Sequence, residues 1–387
     1  MKRIFAFIRR EIVFCIAALC AIASSFFVPP SRNYISYIDW NTLFILFALM
    51  SVIAALRDCG IFDRMAYVLC GHIHTSRILC TVLILLSFFT SMLITNDVAL
   101  LTFVPFTLAI LGTSTSGTVV LLTVVLETIA ANTGSMLTPL GNPQNLFLFS
   151  KMGVGIGRFM LIIIIYSTIS LVLLGLSTRL IPNMHLSVKG TSASSSVTAR
   201  QQEHKEHGIH LSRTTQEVIY AILFALCLLC VLRIVPKWIA AASVCAVLLV
   251  LNRKVLKNVD YMLLLTFTAF FIFTGNIAAI PSVNAFLEKA VSGHEFAVSV
   301  LCSQVISNVP ATLLLYPFAK DIPSLLVGAN VGGLGTLVAS LASLISFKLY
   351  SSATKKIQLP SCGMYMAVFT ALNLLFLAVL AGFFIFL

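Results

Sequence analysis

The sequence predicts an all-α polytopic membrane protein made of two inverted-topology repeats, each with a re-entrant hairpin and a broken transmembrane helix. Composition is the first reason. Of 387 residues, 59% are hydrophobic and 10% charged, and the mean hydropathy is +1.03, whereas soluble domains carry roughly a quarter charged residues. Run length is the second. Apolar runs at 12–28, 77–94, 157–181, 216–234, 261–280 and 362–387 approach or exceed the roughly 20 residues a spanning helix needs. None alternates in polarity, as barrel strands would over about ten residues. Internal repetition is the third. ITNDVALLTFVPF at 94–106 and ISNVPATLLLYPF at 306–318 agree at six positions. Each is followed by a second matching segment, ANTGSMLTPLGNPQNLFLF from Ala131 and ANVGGLGTLVASLASLISF from Ala329, with six identities in nineteen.

Those four segments place Asn, Ser, Thr, Gly and Pro inside apolar sequence. Lipid tolerates irregular backbone only where it is buried in protein or lines a cavity. Paired interruptions in corresponding halves point to a secondary transporter's binding site.

Taken in order, the first spanning helix, 12–28, stops at Pro29 and Pro30, and a second run from Thr42 to Leu56 returns. GIFDRMAYVLCGHIH, from Gly60, mixes charge with apolar residues as an interfacial helix does. Two limbs, Arg77–Ile94 and on to Leu111, then meet at Thr95, Asn96 and Asp97, a re-entrant hairpin near 77–112 entered from the cytoplasm. As two full crossings, the same limbs would instead put Asp97 at the outer surface. The next helix is broken near 118–150, with unwinding expected between Asn132 and Asn145, at Gly134, Pro139, Gly141 and Pro143. Glycine exposes backbone and proline removes a donor. A helix at 157–181 ends the first repeat, 1–182, and a polar stretch, 183–213, reads as a cytoplasmic linker. The second repeat, 214–387, carries helices near 237–251 and 261–280 and a surface helix at Val283–Val291. Its hairpin, near 294–320 with the tip at Ser307–Pro310, enters from outside. Its broken helix, near 324–350, is interrupted from Gly328 to Gly335.

Basic residues cap the apolar runs rather than forming a stripe with aromatics, so the net charge of +12 speaks to orientation and not to nucleic acid. With the N-terminus inside, eighteen of twenty-five Lys and Arg fall on cytoplasmic segments, the bias the positive-inside rule expects. Arg32, Lys151, Arg158, Arg233, Lys237, Lys289 and Lys320 lie outside, as does the C-terminus. The basic start and AIASS also imitate a cleaved signal peptide, which would leave the remaining topology unchanged. Ten cysteines lie mostly in apolar helices, where a thiol acts as a small hydrophobe. The CxxC of Cys227 and Cys230 lacks the second pair a zinc site needs. His204, His207 and His210 sit in the polar linker, which reads as solvated more readily than as metal-binding.

Asp97 at the first tip and Glu127, just before the broken segment, are intramembrane acids. Charge at the bilayer centre costs about 2.5–3.5 kcal/mol on insertion scales, so such acids usually face a cavity, a partner or a cation. Both are coupling candidates, and the plainer alternative is a protonated acid capping backbone. Asp97 aligns with Val309 and Glu127 with Leu325, which concentrates coupling chemistry in the first repeat. Asn96 aligns with Asn308 and Asn132 with Asn330, and an amide offers a carbonyl to a cation and donors to an anion. Each asparagine could equally cap a helix break. Fragments starting near Pro143 and Pro310 would point positive ends at the site and favour an anion. Thr138, Gln144, Asn145, Thr336, Ser340 and Ser343 add neutral donors, and GNPQN also brings Asn142. No Lys or Arg falls within these segments except at their flanks.

At these segments the chain, over roughly Asp39 to Tyr350, resembles the ion transporter superfamily of divalent anion:sodium symporters, citrate transporters, arsenite permeases and a sodium:proton antiporter group. The resemblance implies a first ion site at Thr95, Asn96 and Asp97 with Asn132, Gly134 and Thr138, where Na+ would meet Asn96, Asp97 and Asn132. It implies a second at Ser307 and Asn308 with Asn330, Gly332 and Thr336. It also implies a homodimer in which a transport domain slides against a scaffold. The chain departs from the family's Ser-Asn-Thr tips, since Asp97 replaces the first threonine and Val309 the second. TND with GNPQN is closer to the citrate transporter-like and arsenite permease branches.

The expectation is a secondary transporter, not an enzyme, in the cytoplasmic or plasma membrane. It would move a di- or tricarboxylate or inorganic oxyanion coupled to Na+ or H+, with no other cofactor. Arsenite efflux or Na+/H+ antiport is the alternative within transport. A polytopic membrane enzyme would need a cluster such as HExxH or GxSxG, and neither is present. A passive channel fits poorly with four paired breaks.

Overall fold

Side chains tie off the first amides of several helices, which is where orphaned donors would be costly in lipid. Asp39 accepts from the Thr42 amide at 3.1 Å, Asp260 from Leu263 at 3.0 Å and Asp321 from Ser324 at 3.2 Å. In the computed structural model, which describes residues 11–70, 73, 75–184, 212–354 and 357–386, the described residues form helices and no strand. Most of the polar linker, with its three histidines, lies outside the described residues.

The first half comprises α1 (Ile12–Ser25), α2 (Asn33–Tyr37), α3 (Trp40–Asp58), α4 (Ile61–Cys70), α5 (Ser76–Thr90), α6 (Asn96–Ser114), α7 (Gly117–Ser135), α8 (Pro143–Met152) and α9 (Ile156–Ser177). The second comprises α10 (Arg213–Val231), α11 (Lys237–Leu251), α12 (Arg253–Lys257), α13 (Tyr261–Ala279), α14 (Pro281–Val291), α15 (Glu295–Ile306), α16 (Asn308–Leu315), α17 (Ile322–Val331), α18 (Leu341–Ala353) and α19 (Cys362–Phe386). Six of these are long and apolar enough to cross a membrane, within α3, α7, α9, α10, α13 and α19. The protein is an integral, multi-pass membrane protein. Burial ranks the spans. α7 is 83% buried inside the molecule and α19 only 22%, so α7 is a central post and α19 a peripheral one. Leu161, Ile164, Val172 and Leu176 of α9 are exposed, the apolar exterior a lipid-facing helix presents.

Two hairpins hold the centre. α5 and α6 pack on α7, and α15 and α16 on α17. The contacts then cross over. α18, which follows the second break, packs on α6 of the first hairpin, and α8, which follows the first break, touches α16 and α17. Outside this core, α3 packs against α10 and α11, and α1 against α13.

The breaks sit later than the glycines suggest. α7 runs helical through Gly134 to Ser135, and the chain unwinds only over 136–142; α17 runs through Gly328 to Val331, and unwinding covers 332–340. Gly134 and Gly328 serve close approach instead. A Cβ on Gly134 would stand 2.1 Å from the Phe88 carbonyl, and one on Gly328 2.1 Å from Ser299 Oγ. Gly335 does turn the chain, at φ +106°. The second tip fragment starts at Asn308 rather than Pro310, because proline is tolerated in a first helical turn.

Candidate functional site

The two hairpin tips and the two helices that restart after the breaks meet at one pocket. Asn96 and Asp97 open α6, and Asn308 and Val309 open α16; facing them are Pro143 and Gln144 of α8 with Ser340 and Leu341 at α18. Leu263 of α13 completes the lining. Four helix N-termini, from both halves of the chain, therefore converge. The lining has no Lys, Arg or His, and Asp97 is its one ionisable side chain. Its free space is closed down to about one water molecule.

Asparagines hold the surrounding backbone in a reciprocal brace. Asn132, in the last turn of α7, accepts at Oδ1 from Asn96 Nδ2 (2.9 Å) and Ser340 Oγ (3.0 Å), and its Nδ2 donates to Ser343 Oγ at 3.2 Å. Asn330, in the last turn of α17, accepts at Oδ1 from Asn142 Nδ2 at 3.1 Å and donates from Nδ2 to Asn145 Oδ1 at 2.6 Å. In the alignment of the repeats Ser340 matches Asn142 and Ser343 matches Asn145. Each broken helix thus grips the restart of the other. Asn142 Oδ1 also caps Asn145 N at 2.9 Å, and Asn145 Nδ2 donates to the Met136 and Thr138 carbonyls.

The remaining candidates divide. Thr95 precedes α6 in ordinary extended backbone, while its counterpart Ser307 is held at φ +73°, where a non-glycine residue costs about 1–3 kcal/mol. The Asn96 amide nitrogen donates to the Gly141 carbonyl at 3.0 Å, tying tip to break, and Asn96 Oδ1 accepts from Asp97 N. Asn308 Nδ2 lies over Gly333, where a Cβ would stand 2.7 Å away. Thr138 and Thr336 do not line the pocket. Thr138 Oγ1 donates to the Met92 carbonyl and Thr336 Oγ1 to the Gln304 carbonyl at 3.0 Å, positions that match in the repeat alignment. Gly134 and Gly332 pack against Ser91 and Ser303, again a matching pair. Glu127 is fully buried away from the pocket, and Thr107 Oγ1 of α6 donates to its Oε1 at 2.6 Å.

Sequence reasoning did not single out Gln304. Its Nε2 donates to the Gly332 and Leu334 carbonyls, both at 2.9 Å, and its Oε1 accepts from Thr336 N at 2.9 Å. One glutamine so satisfies three backbone groups freed by the second break. A polar residue in an apolar limb was the available signal. Among the described residues no cluster of His, Cys, Asp and Glu is suited to hold a metal. Cys227 and Cys230 are buried free thiols.

At the start of α3, Asp39 takes part in both a cap and an ion pair. Lys151 Nζ, at the end of α8, stands 2.7 Å from Asp39 Oδ2. Burial pushes the Asp39 carboxyl up, but the hydrogen bond and charge of Lys151, with the Thr42 amide, hold it below the usual 3.8.

The chain is similar in sequence to known proteins. An uncharacterized transporter of Methanocaldococcus jannaschii is 32% identical over 313 residues, 81% of each chain. Inner membrane protein YbiR of Escherichia coli is 30% identical over 342 residues, 87% of each. The P protein of Mus musculus is 27% identical over 166 residues, 40% of this chain and 20% of its own length. A family model described as citrate transporter matches residues 2–324, a stretch that holds both hairpins, the first broken helix and most of the pocket lining. The chain belongs to the citrate transporter family of membrane transporters.

Proposed function

We propose that the protein is a secondary active transporter that carries a small anion, a di- or tricarboxylate or an inorganic oxyanion, across the membrane at the tip pocket, driven by Na+ or H+. The observation that carries this reading is the convergence of four helix N-termini on one pocket free of cationic side chains. Each helix start carries a partial positive charge, so together they attract an anion without the tight hold of a lysine or arginine. Release is then as accessible as capture. Asp97, the one acid in the lining, is the coupling residue. The free space is too small for a carboxylate solute, so the tips must part from α8 and α18 to admit one, which is the movement alternating access requires. By family resemblance the transporter works as a homodimer.

Proteoliposome uptake tests the reading. With an imposed Na+ or H+ gradient, wild-type protein accumulates the solute above its external concentration. Asp97→Asn, close in size, binds solute but equilibrates it without accumulation. Accumulation unchanged in Asp97→Asn removes Asp97 from coupling. The lone carboxylate among neutral groups also favours a second reading, exchange of Na+ for H+. A Na+ gradient that moves protons with no organic or inorganic anion present would select it.

A further inference from the structure

Pro105 lies in the middle of α6, and the helix runs on through it to Ser114. Proline has no amide hydrogen, so the carbonyl four residues earlier, that of Leu101, loses its helical donor. A carbonyl left without a donor inside a membrane protein is costly. Arg57, in the last turn of α3, supplies the missing donor, with Nη2 3.2 Å from the Leu101 oxygen. A charge-assisted bond from another helix thus replaces the one that proline removes from α6.

Pro105 also divides α6 by its anchors. Beyond it, Thr107 Oγ1 donates to the buried Glu127 Oε1 at 2.6 Å and fastens that limb to α7. Ahead of it, the segment 96–104 is held at its start by Asn96, bonded to Asn132 and Gly141, and at Leu101 by Arg57. Asn96 lines the pocket, where an arriving solute can take over its bonds. Leu101 lies outside the lining, so the Arg57 bond is one that a solute cannot replace. The repeat marks the same place as a weak point. Pro317 stands where Pro105 does, and there the second limb stops: α16 ends at Leu315 and a 3-10 turn follows at Tyr316–Phe318.

We propose that Pro105 is the hinge of the first hairpin tip and Arg57 its catch. The segment 96–104 swings about Pro105 to open the pocket, and the guanidinium keeps it shut for as long as it holds the Leu101 carbonyl. Helices bend most readily at proline, and a pocket closed down to about one water needs such a movement to admit a solute. Arg57 touches no solute; it is a positioning residue that acts through α6.

This inference rests on reading the pocket as the transport site, and its test reads opening alone so that the two fail separately. Full-length protein freed of its ten native cysteines receives Val309→Cys, a buried position in the pocket lining, and its reaction with N-ethylmaleimide is timed in detergent without solute. Arg57→Met, similar in length but without a donor, speeds the reaction roughly tenfold or more, the change that losing one hydrogen bond to a charged group brings. Pro105→Ala returns an amide to the Leu101 carbonyl and slows the reaction, and Arg57→Met added to it changes the rate by less than about twofold. A chain that keeps only Cys80, buried on α5, reports general loosening and reacts equally slowly with and without Arg57→Met. Val309→Cys kinetics left unchanged by Arg57→Met overturn the catch. So does an acceleration that persists in Pro105→Ala or appears equally at Cys80. If Arg57→Met does not fold, Pro105→Ala alone decides, a slower reaction upholding the hinge and an unchanged rate overturning it. Opening as expected in a protein that moves no solute would sink the transport reading and leave the hinge standing.

Discussion

Gly134 shows what a single residue decides in this molecule. Its Cα face lies against the backbone of α5, with the Phe88 carbonyl 2.1 Å and Ser91 Oγ 2.7 Å from where a Cβ would be. A carbonyl in a helix cannot swing aside as a side chain can, so Gly134→Ala must push α7 off α5 and disturb Asn132 two residues away. Overpacking of this kind costs roughly 1–3 kcal/mol. The expected outcome is a lower melting temperature and weakened solute binding, measured on purified protein. Gly175 is the matched control, since no atom lies within 4 Å of its would-be Cβ. Gly175→Ala should be neutral, or stabilising by up to about 1 kcal/mol through helix entropy. At this scale the sequence was legible in residue type more than in role. The pairing of Asn132 with Asn330 was visible from the repeat. That each would bond the other half's restart helix was not, because Ser340 and Ser343 differ in type from Asn142 and Asn145 and local sequence carries no sign of who meets whom across 200 residues.

Elements were easier to read where length and hydropathy dominate, and harder where two signals compete. α3, α9, α13 and α19 fall within a few residues of the apolar runs that announce them. The first break, 136–142, falls inside the expected span from Asn132 to Asn145, whereas the second, 332–340, begins past Gly328, because glycine marks both an unwound turn and a close helix crossing, and only the neighbour's position separates the two. The start of α3 offers a test at this scale. Asp39 is its N-cap and the ionic partner of Lys151 on α8. Its folded carboxyl titrates below the unfolded value of 3.8. The stability it contributes is therefore fully present above 3.8 and is lost as pH falls through the folded value. Asp39→Asn keeps a good cap but drops the ion pair. Its melting temperature should lie below wild type at neutral pH, and the gap should close as the pH is lowered past 3.8. A gap that stays constant across that range would show that Lys151 contributes nothing through charge.

For the molecule as a whole, the reciprocal braces tie both broken helices into one body, and the hairpin tips close on it from two sides. Such a body is expected if two copies of one plan face each other in opposite senses. Composition and repetition announce the copies, but their relative sense rests only on the charge bias of the flanking segments, since helices look alike in either direction through lipid. Opposite senses would put the bases of the two hairpins at opposite membrane faces. Ser116, between α6 and α7, marks the base of the first, and Lys320, between α16 and α17, the base of the second; both are exposed. Single cysteines at these positions, in a chain freed of its ten native ones, can be labelled in sealed right-side-out vesicles with a membrane-impermeant thiol reagent. Lys320→Cys should react at once, and Ser116→Cys only after the vesicles are opened. Equal reaction of both from outside would mean parallel copies. With Ser116 outside, a fully crossing α6 would put Asp97 near the cytoplasmic surface rather than at mid-membrane, and coupling through a buried tip would lose its basis.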